Sequence, residues 1–238
     1  MITREASARY TAVLAPLGLE VVAFPVTRTE PARDPRVLAR AIAQGGYAAV
    51  LVASARAAEA LHVARGDHVL PEVWAVGPAT ARALAAAGIA AEVPAAARDG
   101  RTLARALVAV RPLAGLRVLV PRAEDGRDEA IAILRAAGAE VDAITAYRTV
   151  ATAGDAPELA PGLAVLRDAA VCAVFAPSQV AALDALVPIR AITARLVAIG
   201  QTTAAALREA GAAQVAVADA PTPEGLAKAV SAVYPLRR

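Results

Sequence analysis

Shifted by 123 residues, the chain falls on its own likeness: Gly77, Thr80, Ala81, Leu84, Gly88 and Leu103 land on Gly200, Thr203, Ala204, Leu207, Gly211 and Leu226. A shift of 124 brings Ser54 of "LVASARAAEAL" onto Ser178 of "VFAPSQVAAL". A shift of 120 brings "GLEVVAFPVTRT" (18–29) onto "GAEVDAITAYRT" (138–149). Self-similarity at one long period is the mark of a duplicated structural unit. Here the unit is an α/β half of about 120 residues, and 238 residues hold two of them.

Within each half, short apolar runs alternate with Ala- and Leu-rich helical stretches. Strands are predicted at 20–24, 48–52, 73–76, 117–120, 140–144, 171–175, 196–199 and 214–217. Helices lie between them. One covers 35–44, with Asp34 as N-cap and Pro35 at the first helical position; another covers 126–137, closed by Gly138. Asp99 and Thr222 are further cap candidates. Such alternation builds parallel sheets with helices on both faces. Aromatic residues are only 3%, so Leu, Val, Ile and Ala must form the cores, with Trp74 among them.

The charge pattern narrows the partners. A net charge of +3 with no Lys/Arg run argues against a nucleic-acid partner and suits a small polyanionic ligand. The one cysteine, Cys172 in "AAVCAVFAP", allows no internal disulfide and reads as a buried thiol of a cytoplasmic protein. No run approaches the ~20 apolar residues of a membrane span, and "MITREASARY" lacks the apolar core of a signal peptide. His62 and His68 have no carboxylate cluster or cysteine ligand nearby, so no metal is expected. The absence of a P-loop and of Gly-x-Gly-x-x-Gly points away from nucleotide chemistry, and no cofactor is expected.

Candidate site residues cluster where predicted strands end. "VGPAT" and "IGQTT" carry Gly77/Thr80 and Gly200/Thr203 at strand-to-helix turns. Unpaired amides at a helix N-terminus, with the dipole behind them, bind carboxylate or phosphate. The same residues also serve a plain turn with a packed threonine. Ser54 and Ser178 open helices and fit N-caps, a role that leaves neighbouring amides free for a ligand. Arg4 and Arg122 follow strands at matched places and fit either solvated arginines or anion binders. Tyr147 in "ITAYRTV" breaks the internal symmetry, since its counterpart is Thr27. A phenol can donate or position a proton, or simply pack a hinge.

The ordered set "ITR", "GLEVVAFPV", "LVASARAAEAL", "VWAVGPATARALAAAG", "VLVPRAEDGRDEAIAILRAAGAEVDAITAYRT", "VFAPSQVAAL", "LVAIGQTTAAALREAG" and "APTPEGLAKAV" resembles the uroporphyrinogen-III synthase family over nearly the whole chain. The resemblance implies two similar lobes, each a parallel sheet flanked by helices in a flavodoxin- or Rossmann-like manner. A two-segment extended linker joins them, with a cleft between. One lobe is discontinuous, 1–27 plus 151–238; the other is 34–145; the linkers are about 25–33 and 145–153. Two such connections would allow hinge motion.

The implied reaction is the closure of hydroxymethylbilane, a polyanionic tetrapyrrole with eight carboxylates, with ring D inverted through a spiro intermediate and water released. By the same resemblance Tyr147 is the catalytic residue. Thr3, Arg4, Ser54, Ala55, Gly77, Thr80, Arg122, Ser178, Gln179, Gly200, Thr202 and Thr203 bind substrate. No cofactor, no metal, no nucleic acid and no membrane are implied. A monomer is expected, with at most transient contact with the preceding pathway enzyme.

Two departures stand out. Only Met1 and Ile2 precede Thr3 where the family has a full apolar strand, so the first strand is expected to be cut short or to start upstream, and the first lobe to be weakened. "APSQ" around Ser178 replaces a commoner Thr-Ser pair. A two-lobed cytosolic binding protein, an inactive paralogue of the same fold, and a glycosyltransferase with two Rossmann-like lobes are the competing readings.

Overall fold

The computed structural model describes residues 1–5 and 7–234, so the last four residues of the expected segment 151–238 lie outside the described residues. The chain divides into two compact units, one of Met1–Arg28 with Val150–Arg238 and one of Thr29–Thr149. The first unit contains α1 (Ala8–Leu14), and β1 (Thr27–Pro31) runs across the boundary. The second unit continues with α2 (Arg36–Gln44), β2 (Tyr47–Val52), α3 (Ala55–Arg65), β3 (Glu72–Ala75) and α4 (Gly77–Ala86). Next come α5 (Gly100–Val110), β4 (Arg117–Ala123), α6 (Glu129–Ala136) and β5 (Glu140–Ala151), which crosses back. The first unit resumes with α7 (Ala160–Val165), β6 (Val171–Val174), α8 (Pro177–Leu186), β7 (Arg195–Ala198), α9 (Gln201–Glu209), β8 (Val215–Val217) and α10 (Pro223–Val233).

In the second unit the sheet order is β1-β5-β4-β2-β3, with β5, β4, β2 and β3 parallel. A bridge from Trp74 to Glu92 extends the far edge. Side chains of a strand alternate faces, and here both faces are covered. Val50, Val52, Val73, Ala75 and Leu119 meet α2, α3 and α4. Ala49, Leu51, Trp74, Val118 and Val120 meet α5 and α6. This explains why the strands read as continuous apolar runs.

The first unit follows the same logic on β6-β7-β8, also parallel. Cys172, Val174, Leu196 and Ala198 pack under α8 and α9, while Val171, Ala173 and Val197 pack under α1 and α10. Cys172 is fully buried and burial pushes its thiol up to about 12, which makes it inert.

Two strand expectations need correction. The stretch 20–24 forms no strand; it contributes one parallel bridge, Ala23 to Ile2. Ile2 bridges Ala173 on its other side and is 1% exposed. Four backbone bonds hold it: Ile2 N–H to Val22 O, Phe24 N–H to Ile2 O, Thr3 N–H to Ala173 O and Ala173 N–H to Met1 O. The short N-terminal stretch therefore lies inside its sheet. The second correction concerns β5, which runs to Ala151 instead of ending at Ile144, because its distal half lies beside β1.

One helix start needs correction: the helix expected from 126 begins at Glu129, because the chain first turns after β4, with the Gly126 N–H bonded to Ala123 O. Other helix ends follow the sequence. Asp99 forms a full capping box with Thr102, and Thr222 accepts the Gly225 N–H at 3.1 Å. The N-cap of α2 is Pro35, one residue later than expected, yet Asp34 still accepts the Arg36 N–H at 3.1 Å.

At the amino ends of β2 and β4, Arg117 stacks on Tyr47 at 4.4 Å and reaches Asp142 Oδ2 at 2.6 Å, while the Tyr47 hydroxyl donates to the same oxygen at 2.7 Å. Burial and then the hydrogen bond to Asp142 push the Tyr47 phenol up to about 12. Hydrogen bonds from Tyr47 and Arg117 hold the Asp142 carboxyl below the usual carboxylate range.

Two outcomes are expected from this packing. A Cβ on Gly225 would enter the Ala220 carbonyl oxygen, and one on Gly162 would enter the Phe24 ring. Gly225→Ala and Gly162→Ala should each cost about 1–3 kcal/mol in urea unfolding; a midpoint unchanged in both would contradict the packing. Because the folded pKa of Asp142 is depressed, its stabilisation is present above the ordinary carboxylate range and lost as pH falls through the depressed value. The stability gap between wild type and Asp142→Asn should therefore be widest at neutral pH and close in acid, as read by thermal melts across pH.

Candidate active site

The second unit brings Ser54 and Tyr147 together past the carboxyl end of β2, the place where open α/β sheets bind ligands. Ser54 follows β2, Arg122 lies near the end of β4, and Tyr147 sits on β5 in register with Ala123, the last residue of β4. Ser54 is the N-cap of α3: extended backbone presents its Oγ to the Ala57 N–H at 3.1 Å. The same Oγ lies 3.1 Å from the Tyr147 hydroxyl. One serine thus closes a helix end and holds a phenol. Ala55, the first residue of α3, is half-buried beside it. Tyr147 also lines a cavity of about 270 Å³ whose walls include Pro31, Leu38, Ala60, Val63 and Ala146.

Arg122 is not a free anion binder. Its guanidinium pairs with Asp128 through Nη1 and folds over Gly126, where an added Cβ would stand 3.0 Å from Nε. That Nε is buried without a hydrogen-bond partner. Any ligand at this point competes with Asp128, a residue that strand-end spacing did not single out.

The two glycine turns differ. Gly77 has φ +63°, a left-handed conformation that favours glycine. Gly200 is the N-cap of α9 with φ −175°, extended backbone open to any residue, so the turn itself does not require glycine there. At both, an added Cβ meets nothing within 4 Å, which leaves room in front of the helix. Thr80 and Thr203 are 4% and 3% exposed and pack into their units, whereas Thr202 is exposed.

In the first unit the serine expectation fails at Ser178. The N-cap of α8 is Ala176, whose φ −156°, ψ 154° equal those of Ser54, and Ser178 is the exposed second helical residue. Matching serine to serine placed the repeat two residues out of structural register, and backbone dihedrals restore it. Gln179 does the local work instead, accepting the Phe175 N–H at 2.9 Å through Oε1. Thr3 is fully buried, its Oγ1 lying 2.8 Å from Gln179 Oε1 and 3.1 Å from Ala173 O, so its hydroxyl is committed to the fold. Arg4 is exposed and rests on two rings, 5.3 Å from the centroids of both Tyr10 and Phe175. Those rings meet edge to face at 4.9 Å. Neither aromatic was singled out in the sequence; the available signal was their scarcity, with two Phe and four Tyr in the chain.

Among the described residues, no group of three or more His, Cys, Asp or Glu could hold a metal, and no helix is long and apolar enough to cross a membrane.

Comparison with known proteins adds to this geometry. The family model described as HEM4, Uroporphyrinogen-III synthase HemD, matches residues 8–228. No curated protein sequence matches the chain. Among solved structures, a mutant uroporphyrinogen III synthase from the extremely thermophilic bacterium Thermus thermophilus is similar, with 23% identity, a TM-score of 0.55, and coverage of 97% of this chain and 94% of its own. The uroporphyrinogen-III synthetase from Helicobacter pylori 26695 is similar at 15% identity and a TM-score of 0.61, covering 91% of this chain and 96% of its own. Both share a mixed α/β fold with parallel sheet and helices. Matched by the family model over residues 8–228, the chain belongs to the uroporphyrinogen-III synthase family.

Proposed function

We propose that this chain is a hydro-lyase that closes hydroxymethylbilane to uroporphyrinogen III, with Tyr147 as the group that protonates the departing hydroxyl. The observation that carries the reading is the Ser54–Tyr147 hydrogen bond at 3.1 Å, at the carboxyl ends of the strands. Ser54 Oγ already accepts the Ala57 N–H. With the Ser54 proton given to the phenol oxygen, the phenol's own proton remains available as a donor.

The chemistry follows from that donor. Transfer of the phenol proton turns the terminal hydroxyl into water and leaves a protonated azafulvene beside the Tyr147 phenolate. The substituted carbon of the last pyrrole attacks the azafulvene carbon, forming the spiro intermediate. Fragmentation of one spiro bond and reclosure at the free carbon invert ring D. Loss of a ring proton to the Tyr147 phenolate restores aromaticity and the phenol, which balances one bilane to one macrocycle and one water. Unassisted closure gives the non-inverted isomer, so the protein must fold a flexible polyanion into one geometry. The starts of α4 and α9, at Gly77 and Gly200, carry no side-chain cap, and their amides are suited to its carboxylates without lysine clusters. The two units are taken as flavodoxin-like halves of one duplicated unit working in the cytoplasm; the buried, lone Cys172 agrees with a reducing compartment.

Two measurements check it. Hydroxymethylbilane generated in place, then oxidised and separated by isomer, should give predominantly uroporphyrin III with this protein present; the isomer ratio of the enzyme-free control would contradict the proposal. Tyr147→Phe should lower kcat by about a hundredfold or more, the contribution of a positioned general acid, with KM little changed. Equal loss in kcat and in ligand affinity would make Tyr147 a binding residue.

A further inference from the structure

We infer that Phe175 and Tyr10 are positioning residues that hold Arg4 and the Gln179 amide as one carboxylate subsite in the first unit. The inference rests on the proposed function for the identity of its ligand, an organic carboxylate of the substrate. Phe175 touches both residues. Its ring carries the Arg4 guanidinium at 5.3 Å, and its backbone N–H donates to Gln179 Oε1 at 2.9 Å.

That backbone bond decides which way the amide faces. An N–H needs an acceptor, so the oxygen end of Gln179 must point at Phe175 N, and the nearby Thr3 Oγ1 at 2.8 Å agrees. The Nε2 amide is therefore turned outward with two donors, and no acceptor meets it among the described residues. Arg4 is equally uncommitted: it forms no ion pair with any described carboxylate, and its contacts are the two ring faces.

An exposed arginine ordinarily samples many rotamers, and ordering it costs entropy when a ligand binds. Stacking removes part of that cost in advance, because a guanidinium over an aromatic face keeps its N–H edge free for a carboxylate. Tyr10 and Phe175 support each other edge to face at 4.9 Å, which fixes the platform. The platform stands beside Thr3, where the N-terminal stretch leaves the sheet between Ala23 and Ala173. Phe175 also packs against the buried cluster of Ile2, Ala173 and Val197, which fixes the ring from below while it carries the guanidinium.

The test separates positioning from structure. Phe175→Leu and Tyr10→Leu should each raise KM for hydroxymethylbilane about threefold to tenfold, the scale of a cation–π contact, with kcat kept. Tyr10→Phe, which preserves the ring, should behave as wild type. Arg4→Ala should raise KM by about tenfold or more, as expected on loss of a charge-assisted hydrogen bond, and Phe175→Leu should add little on the Arg4→Ala background. The same variants are titrated with uroporphyrin III by fluorescence, so the subsite is tested whether or not the wild type turns over. Weakened uroporphyrin III binding in the same order supports the subsite. Wild-type KM and binding in Arg4→Ala and Phe175→Leu overturn it while leaving the proposed reaction standing. A tenfold loss in Phe175→Leu that is undiminished on the Arg4→Ala background also overturns it, since the ring would then act through the fold. Failure of the wild type to shift the isomer ratio sinks the reaction instead.

Discussion

Each unit builds its candidate site around an inner segment, one of several that are hydrogen-bonded along both edges. In the first unit this is the stretch around Ile2, tied to Val22 and Phe24 on one side and to Met1–Ala173 and Thr3–Ala173 bonds on the other. In the second it is β4, parallel to β5 on one side and to β2 on the other. A parallel neighbour on each side needs a crossover, and crossovers to the two sides leave a crevice at the strand's carboxyl end. Thr3, Arg4 and Gln179 lie at one such end; Ser54 and Tyr147 meet at the other, while Arg122 on β4 pairs with Asp128. The side chains that could meet a ligand are thus consequences of strand order before they are consequences of chemistry.

The self-similar halves of the sequence differ at matched positions. The N-cap of α3 is a serine that also holds Tyr147, while the equivalent cap of α8 is an alanine with the same dihedrals. Gly77 needs its glycine for a left-handed turn, and Gly200 does not. The first unit has instead a guanidinium on an aromatic platform. One half offers a phenol held by a hydroxyl, the other a guanidinium held by rings.

Much of the fold was legible in the sequence because it is locally encoded. Apolar runs of four to six residues gave β2, β3, β6 and β7 nearly to the residue, and Asp99 and Thr222 announced their caps. What escaped depends on partners distant in the chain. The full length of β5 follows from β1 lying beside it, and the loss of a strand at 20–24 follows from having only the short Ile2 stretch to pair with. The site shows the same divide. Tyr147 was visible as a break in symmetry, and Ser54 as a cap. The hold of Asp128 on Arg122 and of Phe175 on Arg4 exists only in three dimensions, and Ser178 misled because identity of residue type outweighed backbone register.

The central claim is that the Tyr147 phenol delivers the proton that lets the hydroxyl leave. Its most direct test is the solvent deuterium isotope effect on the single-turnover rate of ring closure, compared between wild type and Tyr147→Phe. Proton delivery from the phenol in the rate-limiting step predicts a normal effect in the wild type that disappears, or changes clearly, in the variant, whose residual reaction would no longer use that proton. The same isotope effect and a similar rate in both proteins would contradict the account.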